Sequence, residues 1–213
     1  MQTFFRNNNS DELILLFCGW GMDEKPFLPI KSDCDVLFVF DYSNLQFDSE
    51  FDFQKYKNIT LLAFSAGVYA AGFLKDSLPK CDLKIAVNGT LSPFNDELGI
   101  AKEVLTEIEN LTMDNIFEFR KKLVDNPDHL EIFNKNQPFR DLESSLNELE
   151  SLKKYSEQGE VVFEYGKVFI GQADEIIPFD NQLRAWVRHK DISVVPSGHF
   201  LFYNYSEFLE IIN

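Results

Sequence analysis

Residues 59–73 most restrict the possible fold, because two apolar runs there are joined by three small residues. The first run, Ile59–Phe64, has the length and β-branched content of a buried strand. The small segment Ser65–Gly67 follows at once, and Val68–Leu74 then predicts a buried helix. A strand that passes through Ser-x-Gly directly into a helix is typical of a nucleophile elbow, in which the serine occupies a strained turn. The alternative is an ordinary tight turn between a strand and a helix.

Apolar runs of strand length recur along the chain and alternate with segments of helical pattern. Strands that are buried on both faces of a parallel sheet appear as continuous apolar runs, and their alternation with helices indicates a doubly wound sheet. A length of 213 residues suits one such domain, so we expect a single α/β domain over residues 1–213. The predicted strands are Leu13–Phe17, Asp35–Phe40, Ile59–Phe64, Asp82–Asn88, Val161–Tyr165, Lys167–Ile170 and Asp191–Pro196.

The composition changes over about residues 95–158, which are charged and have a mostly helical period. Thr112–Asp125 predicts an amphipathic helix within this region. A set of helices inserted between two strands of a sheet is what a lid over a site looks like, so we expect a helical lid insertion. The alternative is that these helices only cover one face of the sheet.

The charge balance excludes several classes of partner. The chain has 35 acidic and 20 basic residues and a formal net charge of −15. Nucleic acids and anionic membranes need a basic face, so we expect neither as a partner. No apolar run reaches the length that crosses a membrane, and the first ten residues lack the hydrophobic region of a secretory signal. These features favour a cytoplasmic protein.

The cysteines and histidines do not form a metal-binding pattern. Cys18, Cys34 and Cys81 are an odd number without the spacing of metal ligands, so we expect free thiols in a reducing compartment. The chain contains only three histidines, at positions 129, 189 and 199. We therefore expect neither a metal nor another cofactor.

Three polar residues lie just beyond the predicted ends of core strands, namely Ser65, Asp174 and His199. The carboxyl ends of parallel strands share one edge of a sheet, where sites form. Histidine can accept the proton of a serine hydroxyl near neutral pH, and a carboxylate orients the imidazole. The order Ser–Asp–His is that of the α/β-hydrolases, so the three residues are the predicted catalytic set. The alternatives are that Asp174 is a turn residue and that His199 is structural.

Ester hydrolysis also needs two backbone N–H groups that bind the oxyanion. Ala66, the residue after the serine, supplies one candidate. The loop Cys18–Gly21 follows the first core strand and contains two glycines around Trp20, which makes the Trp20 N–H the second candidate. The alternative is that Trp20 only packs in the core.

Five segments carry a similarity to a known family: Phe17–Asp23 with Phe27, Asp35–Tyr42, Phe64–Val68, Phe169–Pro178 and Gly198–Phe200. Together they resemble the BioG type of pimeloyl-[acyl-carrier protein] methyl ester esterase of biotin synthesis. The resemblance implies an α/β-hydrolase fold, Ser65 as nucleophile, His199 as base with Asp174 as its partner, and an oxyanion hole formed by Trp20 and Ala66. Ala63 departs from the usual elbow glycine, and Cys18 stands where many hydrolases have histidine.

The resemblance implies hydrolysis of a methyl ester through an acyl-enzyme, with an acyl-carrier protein as the partner that bears the substrate. Docking an acidic carrier protein on this acidic chain needs local positive charge. The candidates in the insertion are Arg120, Lys121, Lys122 and Arg140, with Lys153 and Lys154 as further basic residues. Their alternative role is that of solvated helix faces. Two other functions fit the same residues: a general short-chain carboxylesterase or thioesterase, and an inactive hydrolase-fold binding protein.

Overall fold

The computed structural model describes residues 1–47 and 50–213 and contains a seven-stranded sheet. The strand order is β1-β3-β2-β4-β5-β6-β7, with β1 antiparallel to β3 and every other pair parallel. This arrangement confirms the predicted mostly parallel α/β fold. The strands are β1 (Gln2–Arg6), β2 (Glu12–Phe17), β3 (Asp35–Phe40), β4 (Asn58–Phe64), β5 (Leu83–Val87), β6 (Lys167–Gly171) and β7 (Ile192–Val195).

Seven α-helices connect and cover these strands in the described residues, and four of them lie between β5 and β6. Shorter 3-10 helices occur at Lys25–Phe27, Lys75–Ser77 and Leu201–Asn204. The α-helices are α1 (Ala66–Phe73), α2 (Lys102–Glu109), α3 (Ile116–Lys121), α4 (Pro127–Lys135), α5 (Leu142–Ser156), α6 (Phe179–Ala185) and α7 (Leu209–Ile212).

The predicted strands differ from the observed strands in two places. The edge strand β1 was not predicted, because its short, largely exposed sequence lacks a continuous apolar run. The predicted strand Val161–Tyr165 is wrong, since these residues form no strand. They pack instead against α1, where the Tyr165 hydroxyl donates a hydrogen bond of 2.8 Å to the Val68 carbonyl.

The predicted helix Thr112–Asp125 is shorter in the structure, where α3 covers only Ile116–Lys121. The chain beyond it forms a different pairing, because the Phe200 N–H donates a hydrogen bond of 2.6 Å to the Leu123 carbonyl. Side-chain caps begin the next two helices: Asn126 accepts from the first turn of α4, and Asp141 accepts from the first turn of α5. Such caps satisfy backbone N–H groups that have no partner within the helix.

The central strands are buried on both faces, and alternate residues enter two separate cores. Leu16 and Leu62 face the core that also contains Phe200 and Phe202. Leu15 and Leu61 face the other core, which is covered by α1. Each fully buried side chain of this size contributes about 1.5–3 kcal/mol relative to exposure, so the continuous apolar runs hold the sheet between its layers.

The topology places one crevice at the carboxyl edge of the sheet. The chain passes from β2 outward to β3 and then returns to place β4 on the other side of β2. The strand order therefore reverses between β2 and β4, and ligands bind outside the carboxyl ends of strands at such a reversal. Trp20 follows β2 and Ser65 follows β4.

Candidate active site

Ser65 lies in the sharp turn between β4 and α1, with φ 54° and ψ −122°. This left-handed conformation is uncommon for a residue with a side chain, and such strain persists only where the surrounding structure holds it. A β-carbon at Gly67 would lie 2.4 Å from the carbonyl oxygen of Phe17, and one at Gly89 would lie 2.4 Å from that of Ser65. The turn therefore needs both glycines. Ala63 is fully buried within β4, so the departure at this position falls in the strand.

The structure brings the three side chains of the predicted catalytic set into one hydrogen-bonded relay. His199 Nε2 lies 2.9 Å from Ser65 Oγ, and His199 Nδ1 lies 2.8 Å from Asp174 Oδ2. All three residues are buried. With Asp174 ionised, Nδ1–H donates to the carboxylate, and Nε2 then accepts the proton of the serine hydroxyl. This is the arrangement that acyl transfer requires.

Further hydrogen bonds orient the Asp174 carboxylate. Its Oδ1 accepts from the N–H groups of Ile176 and Ile177 at 2.8 and 2.9 Å, and its Oδ2 accepts from Gln182 Nε2 at 2.8 Å. These three hydrogen bonds fix the direction of the carboxylate toward His199. Sequence reasoning missed Gln182, which comes from the first turns of α6.

Asn88 is a second buried residue that sequence reasoning missed. Its Oδ1 accepts from the Gly171 N–H at 2.6 Å, and its Nδ2 donates to the carbonyls of Gly198 and His199 at 3.1 and 2.6 Å. The side chain therefore joins the end of β6, which leads to Asp174, to the turn that carries His199. Its position directly after a core strand was the available signal, since the predicted catalytic residues also follow core strands.

The two predicted oxyanion donors lie on the same cavity as the relay. Trp20, Ala66, Ser65 and His199 all line this cavity. Within residues 1–47 and 50–213, neither the Trp20 N–H nor the Ala66 N–H donates a hydrogen bond. Two unpaired backbone donors beside a serine are suited to binding a developing oxyanion.

The insertion between β5 and β6 forms much of the cavity wall. The lining side chains from this region are mainly apolar, and they meet Trp20, Met22 and Phe64 from the sheet edge. The indole of Trp20 also packs edge-on against Phe119, with ring centroids 6.3 Å apart. Such a cavity suits an aliphatic acyl chain. Its lining residues from the insertion include Ile108, Leu111, Ile116, Phe119, Leu123, Phe133, Leu142, Leu149 and Leu152.

Helix α5 carries a buried carboxylate, Glu148, against the loops that follow β2 and β3. Glu148 accepts from the Gly21 N–H at 3.3 Å and from the Tyr42 N–H at 3.1 Å. Arg140 Nη1 lies 3.2 Å from the same carboxylate, and Arg140 Nη2 lies 3.1 Å from Asp41 Oδ1. Burial raises the pKa of Glu148 to about 7, although the Arg140 charge and the two N–H groups oppose this shift.

Arg140 requires a correction, because its surroundings do not fit the predicted docking role. Its side chain is 6% exposed and is engaged with Asp41 and Glu148. A buried, paired guanidinium is not available to a carrier protein at the surface. The physical reason is the fold of the insertion, which turns this side chain inward against the loop after β3.

The other basic candidates stand nearer the surface. Arg120 hydrogen-bonds to Gln137 and lies over the ring of Phe117 at 5.8 Å. Lys121 is paired with Glu118, and Lys122 with Glu107. Lys153 is paired with Glu109, and Lys154 is exposed.

The described residues contain three cysteines, and none of them forms a disulfide. Cys18, Cys34 and Cys81 are free thiols. Among residues 1–47 and 50–213, no three or more His, Cys, Asp or Glu side chains cluster as metal ligands would. Over the same residues, every helix is too short or too polar to span a bilayer.

Comparison with known proteins identifies relatives over almost the entire chain. The family model "Pimeloyl-ACP methyl esterase BioG" matches residues 1–211. A malonyl-[acyl-carrier protein] O-methyltransferase of Bacteroides fragilis is 34% identical over 194 residues, which are 89% of this chain and 39% of that protein. The chain thus spans about two fifths of that relative's length. An uncharacterized protein of Haemophilus influenzae is 26% identical over 207 residues, covering 95% of this chain and 94% of that one.

Solved structures share the fold. The crystal structure of BioG from Haemophilus influenzae superposes with a TM-score of 0.89 at 24% identity, covering 100% of both chains. A lipase-esterase related protein from Clostridium acetobutylicum gives a TM-score of 0.64 at 16% identity, covering 94% of this chain and 93% of that one. The fold is that of the α/β-hydrolases. With the family model matching residues 1–211, the chain belongs to the BioG family of pimeloyl-ACP methyl esterases.

Proposed function

We propose that this protein hydrolyses the methyl ester of pimeloyl-[acyl-carrier protein] through an acyl-enzyme formed on Ser65. Membership of a methyl esterase family of biotin synthesis gives the reaction class. The observation that carries the mechanism is the relay of Ser65, His199 and Asp174, with distances of 2.9 and 2.8 Å between successive side chains. We further propose the cytoplasm as its location, which fits its three free thiols.

In the first half of the reaction, Ser65 Oγ attacks the ester carbonyl while His199 Nε2 takes the hydroxyl proton. The Asp174 carboxylate stabilises the imidazolium that results. The tetrahedral intermediate then collapses, the bond to the methoxy oxygen breaks, and His199 gives its proton to that oxygen. Methanol leaves, and the acyl group remains bound to Ser65.

In the second half, water replaces methanol as the reactant. His199 removes a proton from the water as its oxygen attacks the acyl carbonyl. Collapse of the second intermediate breaks the bond to Ser65 Oγ, which recovers its proton from His199. The products are a free carboxylate and the original enzyme.

The N–H groups of Trp20 and Ala66 are the proposed donors to the oxyanion in both halves. Ala66 is the first residue of α1, whose N-terminus also favours negative charge. Loss of one such donor typically lowers kcat by about 10²–10³-fold. Because both donors are backbone groups, the loop conformation determines their alignment.

The insertion over about residues 95–158 is the proposed lid of a single α/β-hydrolase domain. Its side chains line the cavity beside Ser65 with apolar groups, as an acyl chain requires. The name of the Bacteroides fragilis relative describes methyl transfer to an acyl group on a carrier protein, and a segment of that protein resembles this chain. This supports a carrier-protein methyl ester as the substrate of the present chain.

The acyl-carrier protein is the proposed partner, and Arg120, Lys121 and Lys122 are the proposed docking residues. Lys121 and Lys122 are each paired with a glutamate, so they offer a carrier protein less unpaired positive charge than the sequence indicated. Exposed Phe117, below the Arg120 guanidinium, adds apolar surface to the same short helix.

Turnover of pimeloyl-[acyl-carrier protein] methyl ester by the wild type and by Ser65→Ala tests the proposal. We expect Ser65→Ala to lose at least about a thousandfold in rate, since the members of such a relay act as a unit. Ser151→Ala, on the surface of α5, is the control and should retain activity. A fluorophosphonate probe should label the wild type at Ser65. Equal turnover by wild type and Ser65→Ala would exclude the acyl-enzyme mechanism, and absence of labelling in the folded protein would favour a binding function.

Equal efficiency on the carrier-bound ester and on a free short-chain methyl ester would instead indicate a general esterase.

A further inference from the structure

We propose that Glu148 is a positioning residue for the oxyanion loop, because its carboxylate attaches helix α5 of the insertion to the peptide group between Trp20 and Gly21. The carboxylate is fully buried and accepts the Gly21 N–H at 3.3 Å. This inference rests on the proposed oxyanion role of the Trp20 N–H. It adds a residue that acts on that donor from another part of the chain, 127 positions away from Gly21.

Two consecutive residues of the loop are bonded to one face of α5. The Trp20 indole N–H donates to the Ser145 carbonyl at 2.6 Å, and the Gly21 backbone N–H donates to Glu148. Ser145 and Glu148 are three residues apart and therefore lie on the same side of the helix. A β-carbon at Gly21 would lie 3.3 Å from Ser145 Oγ, so the loop and the helix are in direct contact.

The planarity of the peptide group transmits this attachment to the proposed oxyanion donor. The Gly21 N–H belongs to the same rigid unit as the Trp20 carbonyl. Holding that unit against Glu148 fixes ψ of Trp20, and the indole bond to Ser145 fixes its side chain. The direction of the Trp20 N–H then depends on where α5 lies.

The charged and titratable groups that face Glu148 come from three parts of the chain. Arg140 lies beside it at 3.2 Å. Asp41 has a pKa below its usual range, because hydrogen bonds from Ser43 and Gln2 and the charge of Arg140 outweigh its partial burial. Burial raises the pKa values of Tyr42 and Cys18 well above their usual values.

Near neutral pH, Asp41, Tyr42 and Cys18 keep fixed protonation states while Glu148 titrates, since burial raises the pKa of Glu148 to about 7. Both carboxylate oxygens accept a backbone N–H, one from Gly21 and one from Tyr42. A proton removes the negative charge that strengthens both of these hydrogen bonds, and it occupies one acceptor site of the carboxylate. Protonation therefore loosens the attachment of the loop.

An NMR titration of the wild-type protein tests this link without a substitution. The side-chain carboxyl carbon of Glu148 and the indole N–H of Trp20 are followed between about pH 5.5 and pH 8.5, a range that spans a pKa near neutrality. We expect both signals to move with the same midpoint. A Trp20 signal that is insensitive to pH, or that has a different midpoint, overturns the proposal.

The variant Glu148→Gln gives a kinetic test, because its amide retains one acceptor oxygen and resembles the protonated carboxyl. We expect wild type to exceed Glu148→Gln in kcat by at least about tenfold near pH 8.5, with little change in KM, as for a misaligned oxyanion donor. The ratio should fall toward one near pH 6. Any pH dependence of kcat that the two proteins share cancels in this ratio.

Glu150→Gln is the matched control on the exposed face of the same helix, and its ratio to wild type should not change with pH. A ratio for Glu148→Gln that is constant with pH in the folded variant overturns the positioning role. Inactivity of the wild type on every ester would instead contradict the proposed function, and the NMR midpoints would still decide whether Glu148 controls the loop.

Discussion

The side-chain amide of Asn88 donates a hydrogen bond of 2.6 Å to the backbone carbonyl of His199. The same side chain accepts the Gly171 N–H at 2.6 Å, so one residue connects the ends of β5 and β6 with the histidine turn. Asn88 is fully buried and has φ 42°, a conformation that asparagine tolerates better than most residues. The distance between Asp174 and His199 therefore depends on Asn88, a residue outside the relay.

Replacing Asn88 should impair both stability and turnover. We expect Asn88→Gly to lower the free energy of unfolding by about 1–3 kcal/mol, because buried backbone groups lose their partners, and to lower kcat through the displaced His199. Glycine accepts the positive φ, so the effect reports the lost hydrogen bonds. Urea unfolding and steady-state kinetics measure the two effects.

Asn9→Gly is the matched control for this change. Asn9 has φ 59° and an exposed side chain, so its replacement keeps the backbone conformation and removes no buried hydrogen bond. A loss of stability in Asn88→Gly no larger than that in Asn9→Gly would contradict the role assigned to the amide.

The elbow should not tolerate a methyl group at Gly67. Its β-carbon would lie 2.4 Å from the Phe17 carbonyl oxygen and 2.6 Å from that of Cys18, and backbone atoms cannot move aside as a side chain can. We expect Gly67→Ala to lower the free energy of unfolding by about 3 kcal/mol or more. Gly166→Ala is the control, since its nearest neighbour would be 3.5 Å away. Similar thermal unfolding temperatures for the two variants would argue against the close approach of α1 to β2.

The stability of the protein should depend on the ionisation of Glu148. Burial raises the pKa of this carboxyl from 4.5 to about 7, so the folded state binds its proton more tightly than the unfolded state does. The resulting stabilisation is fully present below the unfolded pKa and is lost as the pH rises through about 7. The free energy of unfolding of the wild type should therefore fall, relative to that of Glu148→Gln, as the pH rises from 4.5 to about 7.

Chemical denaturation of both proteins across this pH range measures the difference. The difference in free energy of unfolding between the wild type and Glu150→Gln, whose altered side chain is exposed, should stay constant with pH. If the stability of the wild type instead rises with pH relative to Glu148→Gln, then Arg140 and the backbone donors lower the pKa of Glu148 by more than burial raises it.

Charge reversal at the carboxyl end of α3 should affect carrier-bound substrates selectively. We expect Arg120→Glu together with Lys122→Glu to reduce kcat/KM for the carrier-protein ester by about tenfold or more and to leave small free esters nearly unchanged, because rim charges act on association. Lys57→Glu, an exposed and paired lysine at the amino end of β4, is the control. Equal losses on both kinds of ester would remove the docking assignment.

The predicted catalytic residues came from local signals, and the missed residues had weaker ones. Ser65 and His199 each follow a core strand in a turn with glycine, a pattern that is visible in the sequence. Asn88 also follows a core strand, but neither Asn88 nor Gln182 belongs to a recognisable motif, so their contacts were needed to reveal their roles. Arg140 was predicted to be a surface residue because its basic neighbours in the insertion gave no sign that it turns inward.

The sequence by itself determined the central parallel strands and the turn at Ser65. Continuous apolar runs require burial on both faces, and a serine between a strand and a close-packed helix permits few backbone conformations. The tertiary structure decided which polar groups of the insertion meet the loops of the sheet edge. Glu148 and Gly21 are 127 positions apart, and no local preference encodes their contact. Their pairing arises only when helix α5 packs onto the folded sheet and removes the carboxylate from water.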